Sequence, residues 1–296
     1  MFETEAGGAR QAGPGFEPNV RPMPAHICVT CGVQFAERPE PPASCPICDD
    51  ERQFVNRRGQ TWTTPEALRR SHRNVLRAEE PGLLGIGMEP SFAIGQRALL
   101  VRTPEGNVLW DCTSLLDDAV VEAVRAMGGL AAIAVSHPHF YASVVDWSHA
   151  FGRAPVYLPA ADREYVMRPD PVIQFWDGER RALPGGLTLV RCGGHFAGSA
   201  LLHWPAGAGG RGALLTGDTI QCVPDRGAVS FMYSYPNYIP LAPAAVRRVA
   251  AAVENLRFDR IYGGWFDRVV PSDAKAVVAR SAERYVRALG TPPVRA

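Results

Sequence analysis

Four of the seven cysteines form two CxxC pairs near the N-terminus, a spacing typical of a metal site. Cys28 and Cys31 make the first pair, and Cys45 and Cys48 make the second. Two such turns can present four thiolates to one tetrahedral ion. In a chain that begins without an evident export signal, metal ligation is favoured over disulfide formation. The sequence therefore predicts a four-sulfur site that suits zinc or iron.

The segment around these cysteines resembles the rubredoxin-like domain found in rubrerythrins. Gly32 follows the first pair and Pro46 lies inside the second, whereas Asp49 stands where a glycine usually follows the last cysteine. The resemblance implies a small metal-stabilised module, which we place at residues 25–58, behind a flexible tail over residues 1–24. We favour a structural zinc over an electron-transfer iron in this module.

A second group of metal-binding residue types follows predicted strands further along the chain. His137 and His139 come directly after the apolar run 130–135, His195 follows the strand LTLVR, and Asp218 ends the run LLTGD. Imidazoles and carboxylates are zinc ligands, and loops at strand ends are where a fold can bring them together. The sequence predicts a second metal site made of these four residues.

The order of these motifs resembles the metallo-β-lactamase superfamily of metallohydrolases over about residues 84–290. The resemblance depends on three motifs, which are HxH at His137, GGHFAGS at His195 and LLTGDT at Asp218. In addition, Asp111 in VLWDC resembles the family's strand-ending aspartate. The resemblance implies an αββα sandwich of the α+β class, which we place at residues 59–296. It also implies three histidine ligands, Asp218 as a residue that often bridges to a second metal, and Asp111 as a support for the metal loop.

The chain departs from the family pattern at the second metal site. Within the family's HxHxDH motif, Tyr141 and Ala142 replace the last two ligands, and Trp265 replaces the final histidine. We therefore expect one metal at the histidine site, with Asp218 orienting the attacking water. Tyr141 either donates a hydrogen bond to a developing oxyanion or only packs over the site.

An aromatic segment after the metal-binding aspartate is a candidate wall of a substrate pocket. It contains Tyr233, Tyr235 and Tyr238. We assign these tyrosines and Trp265 to the pocket, and packing in an irregular part of the core is an equal alternative.

Short apolar runs and amphipathic stretches alternate after about residue 92, which predicts the strands and helices of an α+β domain. The predicted strands are 98–101, 107–110, 130–135, 155–158, 187–191, 200–204, 213–216 and 259–262. The predicted helices are 65–76, 117–127, 242–256 and 272–289, with Thr64 and Ser272 as caps.

The charge balance and the lengths of the apolar runs argue against some classes of function. The 31 basic and 30 acidic residues give a formal net charge of +1, which argues against nucleic acid as a partner. No apolar run is long enough to predict a membrane span, and we expect a cytoplasmic protein with a small-molecule substrate. The oligomeric state stays open.

Three functions remain open from the sequence. The first is a mononuclear zinc hydrolase of an ester, thioester, lactone or amide. The second is a mononuclear iron oxidoreductase similar to the persulfide dioxygenases, and the third is a non-catalytic metal-binding member. The expected cofactors are one Zn²⁺ at each site, with iron as an alternative at either.

Overall fold

Two β-sheets packed face to face form the centre of the computed structural model, which describes residue 1 and residues 23–290. The predicted flexible tail over residues 1–24 lies almost wholly outside the described residues. The strands are β1 (Ala25–Cys28), β2 (Gln34–Glu37), β3 (Trp62–Thr63), β4 (Arg73–Glu80), β5 (Leu83–Glu89), β6 (Ala98–Val101), β7 (Val108–Trp110), β8 (Ala132–Ala134), β9 (Val156–Pro159), β10 (Ile173–Trp176), β11 (Arg180–Ala182), β12 (Thr188–Arg191), β13 (Ala200–Trp204), β14 (Ala213–Gly217), β15 (Gln221–Cys222), β16 (Val229–Ser230), β17 (Met232–Ser234), β18 (Ile239–Pro240), β19 (Arg260–Gly263) and β20 (Val269–Val270).

The described residues contain seven α-helices, and four of them, over Asp118–Ala126, Val144–Ala150, Pro243–Glu254 and Ala274–Leu289, cover the outer faces of the two sheets. The seven are α1 (Pro46–Asp49), α2 (Pro65–Ser71), α3 (Asp118–Ala126), α4 (Val144–Ala150), α5 (Gly207–Gly210), α6 (Pro243–Glu254) and α7 (Ala274–Leu289), and short 3-10 segments lie at Pro138–Phe140, Ala160–Tyr165 and Pro184–Gly186. No helix within residues 23–290 is both long enough and apolar enough to cross a bilayer.

The two central sheets differ in size but share a mixed topology. The first has seven strands in the order β10-β9-β8-β7-β6-β5-β4, parallel from β7 to β10 and antiparallel from β4 to β7. The second has six strands in the order β11-β12-β13-β14-β19-β20, and only β14 and β19 are parallel neighbours.

Successive residues of the inner strands enter different cores, because side chains alternate across a sheet. In β6, Leu99 and Val101 lie in the core between the sheets, whereas Ala98 and Leu100 lie in the core beneath α3 and α4. A third core forms where α6 and α7 cover the second sheet. The layers run helix, sheet, sheet, helix, which confirms the predicted αββα sandwich.

The four-cysteine segment packs on the helix-covered face of the first sheet. Its three strands pair in the order β2-β1-β3. The backbone N–H of Gln34 donates to the carbonyl of Ala142 at 3.0 Å, and the Ser114 hydroxyl donates to the carbonyl of Gly32 at 2.7 Å. Gly32 has a φ of 81°, and a Cβ there would lie 2.5 Å from Ser114 Oγ, so the junction needs a glycine. Strand β3 lies beyond residue 58, the end that we predicted for this module, and the division into domains stays a prediction.

Most of the predicted elements are confirmed to within a few residues, but two predictions are wrong. The helix predicted over residues 65–76 ends at Ser71, and Arg73–Glu80 is strand β4, because this segment pairs with β5 along its length. Helix α7 does not begin at a Ser272 cap. Its first flanking residue is Asp273, in a left-handed conformation with φ of 56° and without a side-chain cap.

Candidate metal centre

Three strands of the two sheets end at one edge of the sandwich, and each carries a predicted ligand. His137 and His139 follow β8, His195 follows β12, and Asp218 follows β14. The backbone turns sharply at these ends. Gly217, directly before Asp218, has a φ of 53°, and a Cβ there would lie 2.8 Å from Ser136 Oγ. The structure therefore brings all four predicted residues together, although they come from both sheets.

The four side chains converge on one point. One ligand atom from each lies within 4.8 Å of those from all the others. His195 Nε2 lies 3.1 Å from His139 Nδ1, and His137 Nε2 lies 3.2 Å from Asp218 Oδ1. A tetrahedral zinc with metal–nitrogen bonds of about 2.0–2.1 Å requires ligand atoms about 3.3 Å apart. The observed spacing fits that requirement.

Several polar atoms of this group are buried without a hydrogen-bond partner. They are His137 Nε2, His139 Nε2 and Asp218 Oδ1. The outer nitrogens of two rings are held in place: His195 Nδ1 donates to the carbonyl of Met232 at 3.2 Å, and His137 Nδ1 is hydrogen-bonded to Ser136 Oγ at 3.1 Å. Fixing Nδ1 leaves Nε2 of each ring as the free donor atom. Two of these unpaired atoms, His137 Nε2 and Asp218 Oδ1, lie 3.2 Å apart, and a bound cation would satisfy both.

Burial also sets the protonation of these groups. It lowers the pKa of His137 and His139 well below the usual histidine range, and it lowers the pKa of His195 to about 4. Positive charge on neighbouring imidazoles and on Arg52 lowers the first two further. All three rings are therefore neutral at neutral pH, which is the form that ligates metals.

The two aspartates at the site respond to burial in the opposite sense. Burial raises the pKa of Asp218 to about 8, and the neighbouring carboxyl of Asp111 adds to this rise. Burial raises the pKa of Asp111 to about 7, partly offset by hydrogen bonds from Ser136. Asp111 Oδ1 accepts the backbone N–H of Ser136 at 2.8 Å, which ties the end of β7 to the start of the histidine loop. The supporting role that the resemblance implied for Asp111 stays a prediction.

A cavity of about 350 Å³ opens onto His139, His195 and Asp218. Its other lining residues come from the four-cysteine segment, the loop after β5, the start of β15, the loop after β17 and the loop after β19. They are Thr30, Arg52, Gln53, Phe54, Ala93, Ile94, Gln221, Tyr235, Pro236 and Trp265.

Two of the four predicted pocket residues lie at this cavity. Tyr235 donates its hydroxyl to the backbone carbonyl of Asp218 at 2.6 Å, and its ring centre lies 5.7 Å from that of His195. The indole N–H of Trp265 donates to the carbonyl of Ile94 at 2.7 Å. Trp265 thus forms part of the cavity wall.

The other two predicted pocket tyrosines and Tyr141 lie elsewhere. Tyr238 is 84% exposed, and Tyr233 packs against the core beneath α6 and α7. Tyr141 is buried in the core beneath α4, its hydroxyl has no partner, and it does not line the cavity. This placement agrees with the packing alternative, and the role of Tyr141 stays a prediction.

The residues that replace the second-site ligands provide no alternative ligand set. Ala142 and Trp265 offer no metal-binding side-chain atom, and Tyr141 is turned away. Within residues 23–290, the histidine–aspartate group and the four-cysteine group are the two clusters of metal-binding type. The geometry fits one ion at the histidine site.

The four cysteines also converge as predicted. Their sulfur atoms all lie within 4.8 Å of one another, with Cys28 Sγ 3.5 Å from Cys48 Sγ and Cys31 Sγ 3.7 Å from Cys45 Sγ. The edge of a tetrahedral zinc–thiolate site is about 3.8 Å for metal–sulfur bonds of about 2.3 Å. All four are buried free cysteines, so the spacing suits a metal rather than disulfides.

Two residues near the histidine site were missed from the sequence. Phe196 packs against all three imidazoles, with ring centres 4.9–5.4 Å apart. Arg52 lies over Phe196, with its guanidinium carbon 3.9 Å from the ring centre. The position of Phe196 directly after His195 was a usable signal. Arg52 lies 143 residues from His195, and nothing in its local sequence indicates the contact.

Solved structures of metallo-β-lactamases share this fold. The chain matches DIM-1 metallo-β-lactamase with a TM-score of 0.55 and 13% identity, covering 72% of this chain and 97% of that one. It matches the enzyme FIM-1 from Pseudomonas aeruginosa, in its mono-zinc form, with a TM-score of 0.53 and 14% identity, covering 72% and 96%. The chain has the metallo-β-lactamase fold, with a four-cysteine cluster near its N-terminus.

A bacterial protein is similar over nearly the whole chain. The uncharacterized protein YmaE of Bacillus subtilis (strain 168) is 49% identical over 271 residues, which span 91% of this chain and 98% of that protein. The chain therefore belongs to the same family as YmaE. No family model matches it.

Proposed function

We propose that this protein is a metal-dependent hydrolase that uses one zinc ion at the histidine site. The observation that carries the proposal is the meeting of three neutral imidazoles and one carboxylate at a cavity, with unpaired atoms facing one point. Three histidines form a zinc ligand set that leaves the fourth position for water, and Asp218 Oδ1 lies close by, 3.2 Å from His137 Nε2. FIM-1, which shares the fold, is described in a mono-zinc form, so one metal is compatible with this architecture.

The ion would supply the electrophile and the activated water of a hydrolytic reaction. The chain's own groups supply the rest. His137, His139 and His195 hold the site, and Asp218 is the buried carboxylate placed to orient a water and to take its proton. Beside a divalent cation the ionised form of Asp218 is favoured over the protonated form. The Tyr235 hydroxyl, bonded to the carbonyl of Asp218, fixes the backbone of that base.

The lining of the cavity favours a small, uncharged and largely apolar acyl substrate. Phe54, Ile94, Pro236 and Trp265 form much of the wall. The one cationic lining residue, Arg52, is paired with Asp50 at 2.6 Å, so it presents no free positive charge. A volume of about 350 Å³ is at the small end of ligand pockets. We therefore favour small esters, thioesters, lactones or amides over polyanionic substrates.

At the four-cysteine site we propose a structural zinc. Four buried thiolates around one point supply a closed tetrahedral site, and a segment this short gains its folding energy from the ion. Seven reduced cysteines fit a reducing compartment such as the cytoplasm.

The test is a hydrolysis screen with a defined metal. The zinc-loaded protein is assayed on panels of small esters, thioesters, lactones and amides, beside the Asp218→Asn variant and a matched control, Asp225→Asn, which changes an exposed carboxyl. We expect turnover by the wild type and the control, and a loss of at least about 100-fold in kcat for Asp218→Asn, in the range of general-base removal. Tyr141→Phe should retain full turnover.

A different outcome would overturn the proposal. Iron in the histidine site together with oxygen uptake on persulfide or thiol substrates would identify the oxidoreductase alternative. Metal binding without turnover on any panel would favour the non-catalytic alternative.

A further inference from the structure

The segment that follows the last cysteine forms one side of the cavity at the histidine site. Arg52, Gln53 and Phe54 line the cavity, and Thr30 joins them from between the cysteines of the first pair. We propose that the four-cysteine module forms a functional wall of the histidine site. Within it, Arg52 is a positioning residue that holds His195 and Phe196 in place for metal binding. The inference rests on the proposed metal site.

Every nitrogen of the Arg52 guanidinium donates a hydrogen bond, and the side chain is mostly buried, with an exposure of 13%. Its Nη1 donates to the backbone carbonyl of His195 at 3.3 Å, and its Nη2 donates to the Tyr165 hydroxyl at 2.7 Å. A planar group with several fixed donors can hold a loop in one orientation. Arg52 therefore holds the backbone of His195, a predicted metal ligand, by a direct hydrogen bond.

The same guanidinium contacts the ring of Phe196, which in turn packs against His137 and His139. It lies over the face of Phe196 at 3.9 Å, a cation–π contact within a buried site. The Phe196 ring stacks on His137 at 5.4 Å between centres and meets His139 edge to face at 4.9 Å. A shift of Phe196 would therefore move all three imidazoles.

The pairing of Arg52 with Asp50 argues that Arg52 positions the site rather than binding an anionic substrate. Asp50 accepts from Arg52 Nε at 2.7 Å and from Nη2 at 2.6 Å. These hydrogen bonds lower the pKa of Asp50 to about 2. The pair is thus ionised and locally neutral across the working pH range.

The cysteine cluster and the turn between β17 and β18 fix the segment from both sides. Asp50 lies two residues after Cys48, and its carboxylate accepts from the Tyr165 hydroxyl at 3.2 Å. The side-chain amide of Asn237 donates to the carbonyls of Glu51 at 2.8 Å and Gln53 at 3.0 Å. The placement of Arg52 therefore depends on the fold of the four-cysteine segment.

The test uses cobalt as a probe of the histidine site in the full-length protein. A chelator strips that site while metal analysis verifies that the four-cysteine metal is retained, and Co²⁺ is then titrated in while the visible d–d bands are recorded. We compare the wild type, Arg52→Met and the matched control Arg58→Met, which removes an exposed arginine of the same module. A missing thiolate-to-cobalt charge-transfer band shows that Co²⁺ has stayed out of the cysteine site.

We expect Arg52→Met to weaken Co²⁺ binding by about tenfold or more, the range for residues that support metal ligands, and to change the d–d spectrum. Arg58→Met should match the wild type. An Arg52→Met protein with unchanged affinity and spectrum would overturn the inference.

If Arg52→Met does not fold, Tyr165→Phe decides the question. It removes one hydroxyl that orients both Arg52 and Asp50 and leaves every charge in place. A weaker affinity in the same direction supports the positioning role, and an unchanged affinity overturns it. These readouts need no substrate, so a protein that binds Co²⁺ as expected but hydrolyses nothing would refute the proposed function alone.

Discussion

At the scale of residues, the histidine site consists of buried atoms that lack partners. His137 Nε2 and Asp218 Oδ1 face each other without a hydrogen bond. A buried polar group left unpaired costs about 1–3 kcal/mol. A bound ion would satisfy both atoms together. The residue types were predictable from the motifs, because HxH and the strand-ending aspartate are local patterns.

Titration of Asp218 makes the stability of the metal-free protein depend on pH, and the raised pKa of Asp218 sets the direction. Its pKa is about 8 in the folded protein and about 3.9 when unfolded. Between these values the folded state binds more protons, so the free energy of unfolding falls as the pH rises. The buried histidines act in the opposite direction, but only below about pH 6.5. From pH 6.5 to 8 we expect Asp218 to lower the free energy of unfolding by on the order of 1.4 kcal/mol per pH unit.

Urea unfolding of the metal-free protein at several pH values in this window measures the effect. The Asp218→Asn variant cannot titrate, so its stability should fall less steeply; some slope should remain from Asp111, whose pKa is about 7. The exposed Asp225→Asn variant should keep the wild-type slope. Equal slopes for wild type and Asp218→Asn would refute the raised pKa.

At the scale of elements, the site depends on where strands begin and end. Strand β14 carries Asp218 beyond its carboxyl end, and its start is set by Gly212, which has a φ of 92°. A Cβ at Gly212 would lie 2.1 Å from the carbonyl oxygen of Arg257. Gly210 also has a positive φ, of 84°, but has no atom within 4 Å of its Cβ position.

These two glycines make a matched pair of substitutions. Gly210→Ala should cost only the left-handed backbone penalty, about 1–2 kcal/mol. Gly212→Ala adds a clash with backbone that cannot move freely, and we expect it to exceed Gly210→Ala by at least about 2 kcal/mol in chemical unfolding, as overpacking does. Equal losses for the two variants would show that the β13–β14 connection tolerates the side chain.

The strands that the sequence predicted and those it missed differ in physical character. Ala200–Trp204 is a buried strand that is apolar except for His203, and its predicted bounds match the observed ones. Strand β4 is largely exposed and polar, so its stability comes from pairing with β5 and not from its own pattern. Strand β5 contains Gly85 and Gly87, which suggest a turn from sequence alone. The Phe266 ring covers both of them and leaves no room for a Cβ.

At the scale of the whole molecule, the four-cysteine module forms one wall of the cavity at the histidine site. The sequence predicted both clusters, because each is carried by local motifs. It could not predict that they touch, since the contact between Arg52 and His195 arises only when the cysteine module docks on the sandwich. The same limit explains Tyr141, whose place in the motif suggested chemistry while the turn after His137 buries it in the core.

The central claim is that the histidine–aspartate cluster binds one metal ion, separate from the four-cysteine ion. The most direct test is the metal content per chain after zinc loading and exhaustive dialysis. We predict two zinc ions per wild-type chain and one in the His137→Ala/His195→Ala variant, with the cysteine site still filled. A variant that retains two ions, or a wild type that binds only one, would contradict the account.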